Sequence, residues 1–240
     1  MKKVFVLILL AVVGIYLSNT FNLIPLGANR IGNVVDSTTT VSGYYLKETP
    51  VQSQVANVVT AIVVNYRGFD TLGEVTVLFL ATTGLGSILF RRREDEEEVE
   101  RLAKPASSLI STGSRILFPL VVLLGVYVFI HGHLTPGGGF QGGAIIATGF
   151  LLMLISYKNY KVSHSTLGWV ESIAGISFVL IGFWGLISSH SFLQNIPEVG
   201  NLNSLLSGGV IPIIYIAVGF KVAAELTGVL DILLNIKPKK

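Results

Sequence analysis

The sequence contains no cysteine and little charge, since only 13% of its 240 residues are Asp, Glu, Lys or Arg. The missing cysteine excludes disulfides, thiolate metal sites and cysteine nucleophiles. A soluble domain usually carries about a quarter charged residues, so this chain lacks the polar surface that water requires. Its hydrophobic content of 51% instead predicts a membrane protein. Nucleic-acid binding is not expected, because the basic residues stand at the ends of apolar runs and no aromatic–basic platform occurs.

Six apolar runs approach or exceed the roughly 20 residues that cross a hydrocarbon core. The first, 4–17, follows two lysines as in a signal peptide, but no small-x-small cleavage site comes after it. We therefore expect an uncleaved membrane anchor there. The other runs are 71–90, 114–130, 139–157, 166–187 and 206–230. The expected fold is an all-α integral membrane protein with about six transmembrane helices, two in the N-terminal half and four in the C-terminal half.

A further apolar stretch, 51–66, contains three polar amides in its first half, so its apolar part is too short to cross. We predict a short helix here that does not span the membrane. Lysine and arginine are enriched in cytoplasmic loops, so Lys2, Arg91, Lys158 and the C-terminal lysines should lie on one side. An even number of crossings before Arg91 satisfies this condition, whereas seven crossings in total would place the N-terminus outside.

Eleven charged side chains of both signs fall within residues 91–104. Such a mixture is typical of a solvated cytoplasmic connection, and docking onto a partner protein is the alternative. The change in composition predicts two membrane modules, 1–90 and 114–240, joined by a charged cytoplasmic linker at 91–113.

Residues 131–143 read HGHLTPGGGFQGG between two apolar runs. A phosphate-binding loop is not expected, because the Walker lysine is missing and no strand precedes the glycines. A metal site is not expected either, since His131 and His133 point apart at this spacing on a helix and have no third ligand nearby. The two histidines are predicted to make hydrogen bonds at a helix end, with proton transfer as the alternative.

The glycines of the same stretch are spaced for close helix packing. The pairs Gly138–Gly142 and Gly139–Gly143 have no side chains to hold neighbouring helix backbones apart. Pro136 ends or redirects the chain before them. We expect a tight interhelical turn in close contact with other helices, mainly of partner subunits. A direct role in ion transfer is the other interpretation.

Lys221 and Glu225 stand four residues apart near the middle of the run 206–230, and so lie on one helix face. An ionisable side chain at bilayer depth costs on the order of 3 kcal/mol even on forgiving insertion scales, so such residues are functional candidates. The pair fits a proton relay, because the charge of a buried lysine responds to a neighbouring carboxylate. A static pair that fixes this helix to a partner is the alternative.

Glu74 lies one turn inside the run 71–90 and is predicted to be an ion-pathway carboxylate. The competing interpretation is a capping box that starts at Thr71, in which Glu74 only accepts a backbone hydrogen bond. Asp70 is expected to fix the turn at the start of the helix together with Arg67.

Glu171, near the start of the run 166–187, is predicted to reach the membrane interface or to contact a partner, with ion handling as the alternative. His164 and His190 are predicted to lie in loops and receive no role.

The stretch FPLVVLLGVYVFIHGHLTPGGGFQGGAIIATGFLL resembles MnhB (also MrpB), one of the membrane proteins of Mrp-type multisubunit cation/proton antiporters. It is also similar to the equivalent protein of archaeal membrane-bound hydrogenase and sulfur-reducing respiratory complexes. This resemblance covers about residues 106–235. Separately, the string RGFDTLGE lies in a region, about 30–90, that resembles the C-terminal part of MrpA and is MbhE-like.

The resemblance implies a transporter subunit in a large complex in the cell membrane, where Na⁺ and H⁺ gradients are coupled. It places Glu74 in an acidic motif near the region of ion passage. No cofactor is expected in this chain itself. The implied partners are other Mrp-type subunits, lipid, and hydrogenase-like and iron–sulfur subunits that would carry any redox catalysis. A purely structural subunit that bridges antiporter-like neighbours is the alternative.

Overall fold

The computed structural model describes residues 2–23, 41–94, 106–157, 160–195 and 200–234. Within these ranges the protein is all-helical, as the sequence predicts. The elements are α1 (Lys2–Leu23), α2 (Val41–Gln52), α3 (Val58–Thr60), a π-helical segment (Ala61–Tyr66), α4 (Gly68–Glu94), α5 (Ser108–Ile130), α6 (Gly139–Ser156), α7 (His164–Ser189) and α8 (Ile211–Leu234).

The chain forms two compact units, Met1–Tyr45 and Leu46–Lys240. The first contains α1, a helix over the predicted anchor. Crossing by this segment stays a prediction. In the second unit, α4 to α8 are each long and apolar enough to cross a membrane. These five helices match the five runs that hydropathy predicts after residue 70.

The prediction of one short helix over 51–66 is wrong in its first half. Helix α2 ends at Gln52, the chain turns, and α3 with the π-helical segment covers the second half only. The polar amide of Asn57 starts α3, because its side chain accepts a hydrogen bond from the Thr60 amide. The π-helical segment leads directly into α4, and the Thr71 hydroxyl donates to the Val63 carbonyl at 2.6 Å.

The predicted limits of two other segments also need correction. Helices α4 and α5 extend into the predicted linker at both ends, and residues 95–105 of that linker lie outside the described residues. The last apolar run was expected from residue 206, but α8 starts at Ile211. Gly208 and Gly209, with φ of 86° and 61°, turn the chain just before it, and Pro212 fits the first helical turn.

Helix α8 lies at the centre of the second unit. Of its most apolar stretch, 61% is buried inside the protein, against 11% for α4. Its buried side chains pack with residues from the π-helical segment, α4 and α7 in one core cluster. Ala223 joins Phe129 of α5 and Ile146 of α6 in a second cluster. Ionisable groups carried by α8 are therefore shielded by protein on most sides.

Glycines let α6 approach both α5 and α8 closely. A Cβ atom on Gly142 would lie 2.5 Å from the Gly125 carbonyl oxygen of α5. One on Gly143 would lie 2.7 Å from the Gly219 carbonyl oxygen of α8, and one on Gly139 would lie 2.7 Å from Val218. The spacing of these glycines thus serves contacts within this chain, whereas the sequence suggested mainly partner helices.

The turn before α6 carries Pro136 and Gly138. Gly138 stands directly before the first residue of α6 in extended backbone, with φ 163° and ψ 178°. A Cβ atom there would lie 2.7 Å from the side-chain oxygen of Gln141. A side chain at this position would require the Gln141 side chain to move.

Candidate functional site

Lys221 lies at the centre of three ionisable side chains inside the second unit. Its Nζ atom is 2.7 Å from Oε1 of Glu225, one turn further along α8. The same Nζ is 3.7 Å from Oε1 of Glu171, which α7 contributes. The structure thus places Glu171 beside the pair that spacing indicates. Contact of Glu171 with the membrane interface or a partner stays a prediction. We call Glu171, Lys221 and Glu225 the buried ion cluster.

Helices α4, α7 and α8 enclose the buried ion cluster. The ring centroid of Phe79, from α4, lies 5.0 Å from Lys221 Nζ, a distance at which the ring face attracts the cation. Gly175 of α7 lies beside the ammonium: a Cβ atom there would be in ordinary contact with Nζ, at 3.9 Å. The side-chain exposure is 11% for Lys221 and 0% for Glu225, so the chain alone already shields both groups from water.

The charges of the buried ion cluster do not balance. Two carboxylates face one ammonium, which leaves a net charge of −1 when all three groups are ionised. Oε1 of Glu225 makes a close ion pair with Lys221, and Oε2 has no hydrogen-bond partner in the part of the chain that the structure describes. Such an oxygen is costly to bury while charged. One proton on either carboxyl group removes the excess charge, so the cluster can take up and release a proton.

Glu74 does not belong to the buried ion cluster. It lies on an exposed face of α4. The capping-box interpretation is wrong, because α4 begins before Thr71 and the Thr71 hydroxyl donates to a carbonyl of the π-helical segment. Asp70 pairs with Arg67 in the first turn of α4, with 2.5 Å between the charged atoms, and both side chains are about half exposed or more. Ion passage at Glu74 stays a prediction.

The two histidines between α5 and α6 have different surroundings. His131 ends α5, stacks on the Tyr127 ring at 4.2 Å between centroids, and places Nδ1 3.1 Å from the Tyr127 carbonyl. His133 is fully buried, and neither ring nitrogen makes a hydrogen bond of normal geometry with the described residues. Burial lowers the pKa of His133 below the ordinary value of 6.5, and nearby backbone of Ser204 and Ile130 opposes this in part. His133 is therefore neutral at pH 7.

The residues that hydrogen-bond the loop between α5 and α6 were not predicted from the sequence. Asn57 donates from Nδ2 to the carbonyls of Gly132 and Thr135, at 2.9 and 3.0 Å. Thr60 donates to the same Gly132 carbonyl at 2.6 Å and accepts from the Tyr215 hydroxyl of α8 at 3.0 Å. These bonds tie the segment before α4 to the loop and to α8. The only signal was a polar amide in an apolar stretch, which suggested an interruption and not a contact.

A second ionisable pair was also missed. Nε2 of His164, the first residue of α7, lies 3.0 Å from Oδ2 of Asp231 in α8. The Asp231 side chain is 7% exposed and the His164 side chain 45%. The sequence interpretation left His164 in a loop, and Asp231 fell one residue beyond the predicted end of the last span. No spacing within one segment indicates this contact, because it joins two different helices.

Comparison with known families decides what kind of chain this is. The family model of a domain related to the MnhB subunit of the Na⁺/H⁺ antiporter matches residues 109–228. The chain belongs to this family. A second family model, that of the MBH protein MbhE, matches residues 32–105 of the MnhB-related chain. Both matches confirm the resemblance that the two motifs indicate.

The MnhB-related chain has relatives in archaea and bacteria. It is 31% identical over 196 residues to an uncharacterized protein of Methanocaldococcus jannaschii, with 72% of this chain and 75% of that protein covered. It is 27% identical over 192 residues to a probable K⁺/H⁺ antiporter protein of Rhizobium meliloti, of the A/B type, of which it covers only 19%. A match to the B-type protein of the Na⁺/H⁺ antiporter of Bacillus subtilis is 29% identical over 79 residues.

Two solved membrane complexes contain a chain with the same fold. In the archaeal membrane-bound sulfane sulfur reductase the match has 42% identity and a TM-score of 0.78, over 97% of this chain and 98% of that chain. In the Mrp complex from a Dietzia species it has 26% identity and a TM-score of 0.70, over 97% of this chain but 26% of that chain. The MnhB-related chain is thus a multi-pass membrane subunit of the Mrp antiporter type, with partners in a multisubunit complex.

Proposed function

We propose that this antiporter-module subunit works in a respiratory complex of the sulfane sulfur reductase type, and that its buried ion cluster transfers protons within that module. The almost complete mutual coverage with the sulfur reductase chain, 97% and 98%, supports this type of complex. Any redox catalysis then belongs to hydrogenase-like and iron–sulfur partners. The complex would reside in the plasma membrane.

The observation that carries the proposal is the state of Glu225. Its side chain is fully buried in a membrane-spanning helix, one oxygen faces Lys221, and the other has no hydrogen-bond partner among the described residues. A static ion pair would be expected to satisfy both oxygens, since buried charges are normally paired and hydrogen-bonded. A carboxyl group that exchanges a proton needs one oxygen free.

The position of Lys221 between carboxylates on two helices suggests how the proton is transferred. When Glu225 binds a proton, its attraction for the Lys221 ammonium weakens. Glu171, which lies 3.7 Å from the ammonium in this structure, is then its charged neighbour. A proton on Glu171 reverses this preference. The ammonium thus follows the charge between α7 and α8, and the cluster never carries two unpaired carboxylates at once.

The buried ion cluster fits a proton better than a sodium ion. The Lys221 ammonium lies within 3.7 Å of both carboxylates and repels a second cation at that position. Across the described residues, no three His, Asp or Glu side chains come together as metal ligands. We therefore assign proton transfer to this cluster, and passage of Na⁺ to other parts of the complex.

A purely structural role is the second candidate, and one contact favours it. The Lys221–Glu171 pair links α7 to α8, so it would strengthen the packing of these two helices. Removing one partner of a buried pair costs about 3–5 kcal/mol, because the other charge is left alone. A loss of transport is therefore informative only when the complex still assembles.

The test is transport by the intact complex in proteoliposomes, with cation-dependent proton movement followed by a pH-sensitive dye. Glu225→Gln and Lys221→Gln should abolish proton movement while the purified complex keeps its full composition. Glu48→Gln, the same change at a carboxylate of α2 that hydrogen-bonds Gln52, is the matched control and should transport normally. Normal transport by both cluster variants would leave only the structural role.

A further inference from the structure

Two clusters of ionisable residues lie at different depths in the interface between α7 and α8. The buried ion cluster holds Glu171 of α7 against Lys221 of α8. Seven residues earlier on α7, and ten later on α8, His164 meets Asp231 at 3.0 Å. The pair thus occupies the same helix interface nearer to its end. Its exposure grades from 7% at Asp231 to 45% at His164, so the histidine reaches solvent while the carboxylate does not.

The buried ion cluster and the His164–Asp231 pair lie close together along α8. Asp231 lies six positions after Glu225 in α8, which at the α-helical rise of about 1.5 Å per residue is roughly 9 Å along the helix axis. Gly228 occupies α8 in this interval, and Leu167 of α7 faces it, 3.7 Å from where a Cβ atom would be. The Leu167 side chain therefore packs in the interface between the two sites. The fully buried Thr227 hydroxyl, without a hydrogen-bond partner among the described residues, adds a group that can bind water in this interval of α8.

We propose that His164 and Asp231 form the proton port through which the buried ion cluster exchanges protons with solvent, at the end of α7 and α8 near Lys161. This inference rests on the proposed function of the cluster. His164 is the group that meets water, Asp231 receives the proton in a protected position, and a short water chain past Leu167 reaches Oε2 of Glu225.

Each step moves one proton and leaves no charge unaccounted for. His164 takes a proton from solvent on Nδ1 and becomes an imidazolium ion, then gives the proton on Nε2 to Oδ2 of Asp231. The histidine is then neutral in its other tautomer, and Asp231 is a neutral carboxylic acid. Asp231 passes the proton through water to Glu225 and returns to a carboxylate. The reverse sequence releases a proton.

Other charged groups around the port come from the helices packed beside it and from the segment before α7. Helix α7 contributes Glu171, α8 contributes Lys221 and Glu225, and the segment before α7 contributes the exposed Lys161. Helix α4 reaches this level at Gly86, where a Cβ atom would lie 4.0 Å from the Ile232 side chain. Residues 80–88 of α4 carry no charge, and Arg91–Arg93 and Glu94 follow on the same helix. The histidine is the group of the pair that reaches solvent.

The experiment measures cation-driven proton movement by the intact complex in weakly buffered proteoliposomes. His164→Asn should slow it by about a hundredfold, the lower end of what a positioned proton-transfer group contributes. Imidazole added on the side of Lys161 should restore most of the rate, because a mobile base then replaces the lost one. Asp231→Asn should be slow with and without imidazole. His190→Asn, at the exposed opposite end of α7, is the matched control and should be normal.

The outcomes distinguish failure of the proton port from failure of the function proposed for the buried ion cluster. If Glu225→Gln abolishes transport while His164→Asn and Asp231→Asn transport normally, the port is refuted and the proposed function stands. Slow transport by His164→Asn without rescue by imidazole means a structural role and also refutes the port. Should His164→Asn fail to assemble, His164→Gln keeps a side-chain donor near Asp231 without a titratable ring. Rescue of that variant by imidazole supports the port, and its absence overturns it.

Discussion

Gly142→Ala should destabilise the complex through the contact of α5 with α6. The new Cβ atom would lie 2.5 Å from the Gly125 carbonyl oxygen and 3.0 Å from Cβ of Phe129, whereas ordinary contact begins at 3.4 Å. Backbone is one of the two obstacles, so the helices themselves must separate by roughly 0.9 Å. Overpacking of this kind costs about 1–3 kcal/mol. The midpoint of thermal aggregation of the purified complex should therefore fall clearly.

Gly168→Ala is the control for this prediction. It makes the same change in α7, where nothing lies within 4 Å of the new Cβ atom. Alanine is the better helix former by about 0.8–1 kcal/mol, so this variant should be as stable as the parent or more stable. Equal midpoints for the two variants would refute the close α5–α6 packing, since helix propensity alone would then govern both positions.

Three further predictions concern the loop between α5 and α6 and its supports. Asn57→Ala leaves the Gly132 carbonyl with one donor fewer and should cost about 1–3 kcal/mol, measured as a lower thermal midpoint of the complex. Tyr215→Phe removes only the hydroxyl that donates to Thr60, so its midpoint should fall by less than that of Asn57→Ala. Because burial lowers the pKa of His133, the unfolded state binds a proton below pH 6.5 that the folded state refuses. Stability should thus be full above pH 6.5 and decline as the pH falls further, and His133→Gln should weaken this decline; an unchanged pH profile would contradict it.

The membrane-spanning helices could be predicted because hydropathy over about 20 residues is a property of the chain itself. Their limits were less predictable where turn chemistry decides. The start of α8 follows from the positive φ of Gly208 and Gly209. The polar residue Asn57 begins a helix instead of interrupting one, because its amide caps α3 and binds the loop. The division into two membrane modules joined by a linker stays a prediction.

Only part of the candidate site could be predicted from the sequence. Lys221 and Glu225 are four residues apart on one helix, and such spacing is visible in the sequence. Glu171 and His164 meet their partners on α8 across an interface between two helices, and no periodicity within one segment indicates such a contact. The charge imbalance at Glu225 likewise exists only after α7 has supplied the second carboxylate.

The most direct measurement of the central claim is infrared difference spectroscopy of the intact complex, recorded while a cation gradient is applied. If the buried ion cluster transfers protons, the parent should show a change in the C=O band of a buried carboxylic acid. That change should be lost in Glu225→Gln and retained in Glu48→Gln. An identical band change in the Glu225→Gln variant, with the complex assembled, would contradict proton transfer at this site.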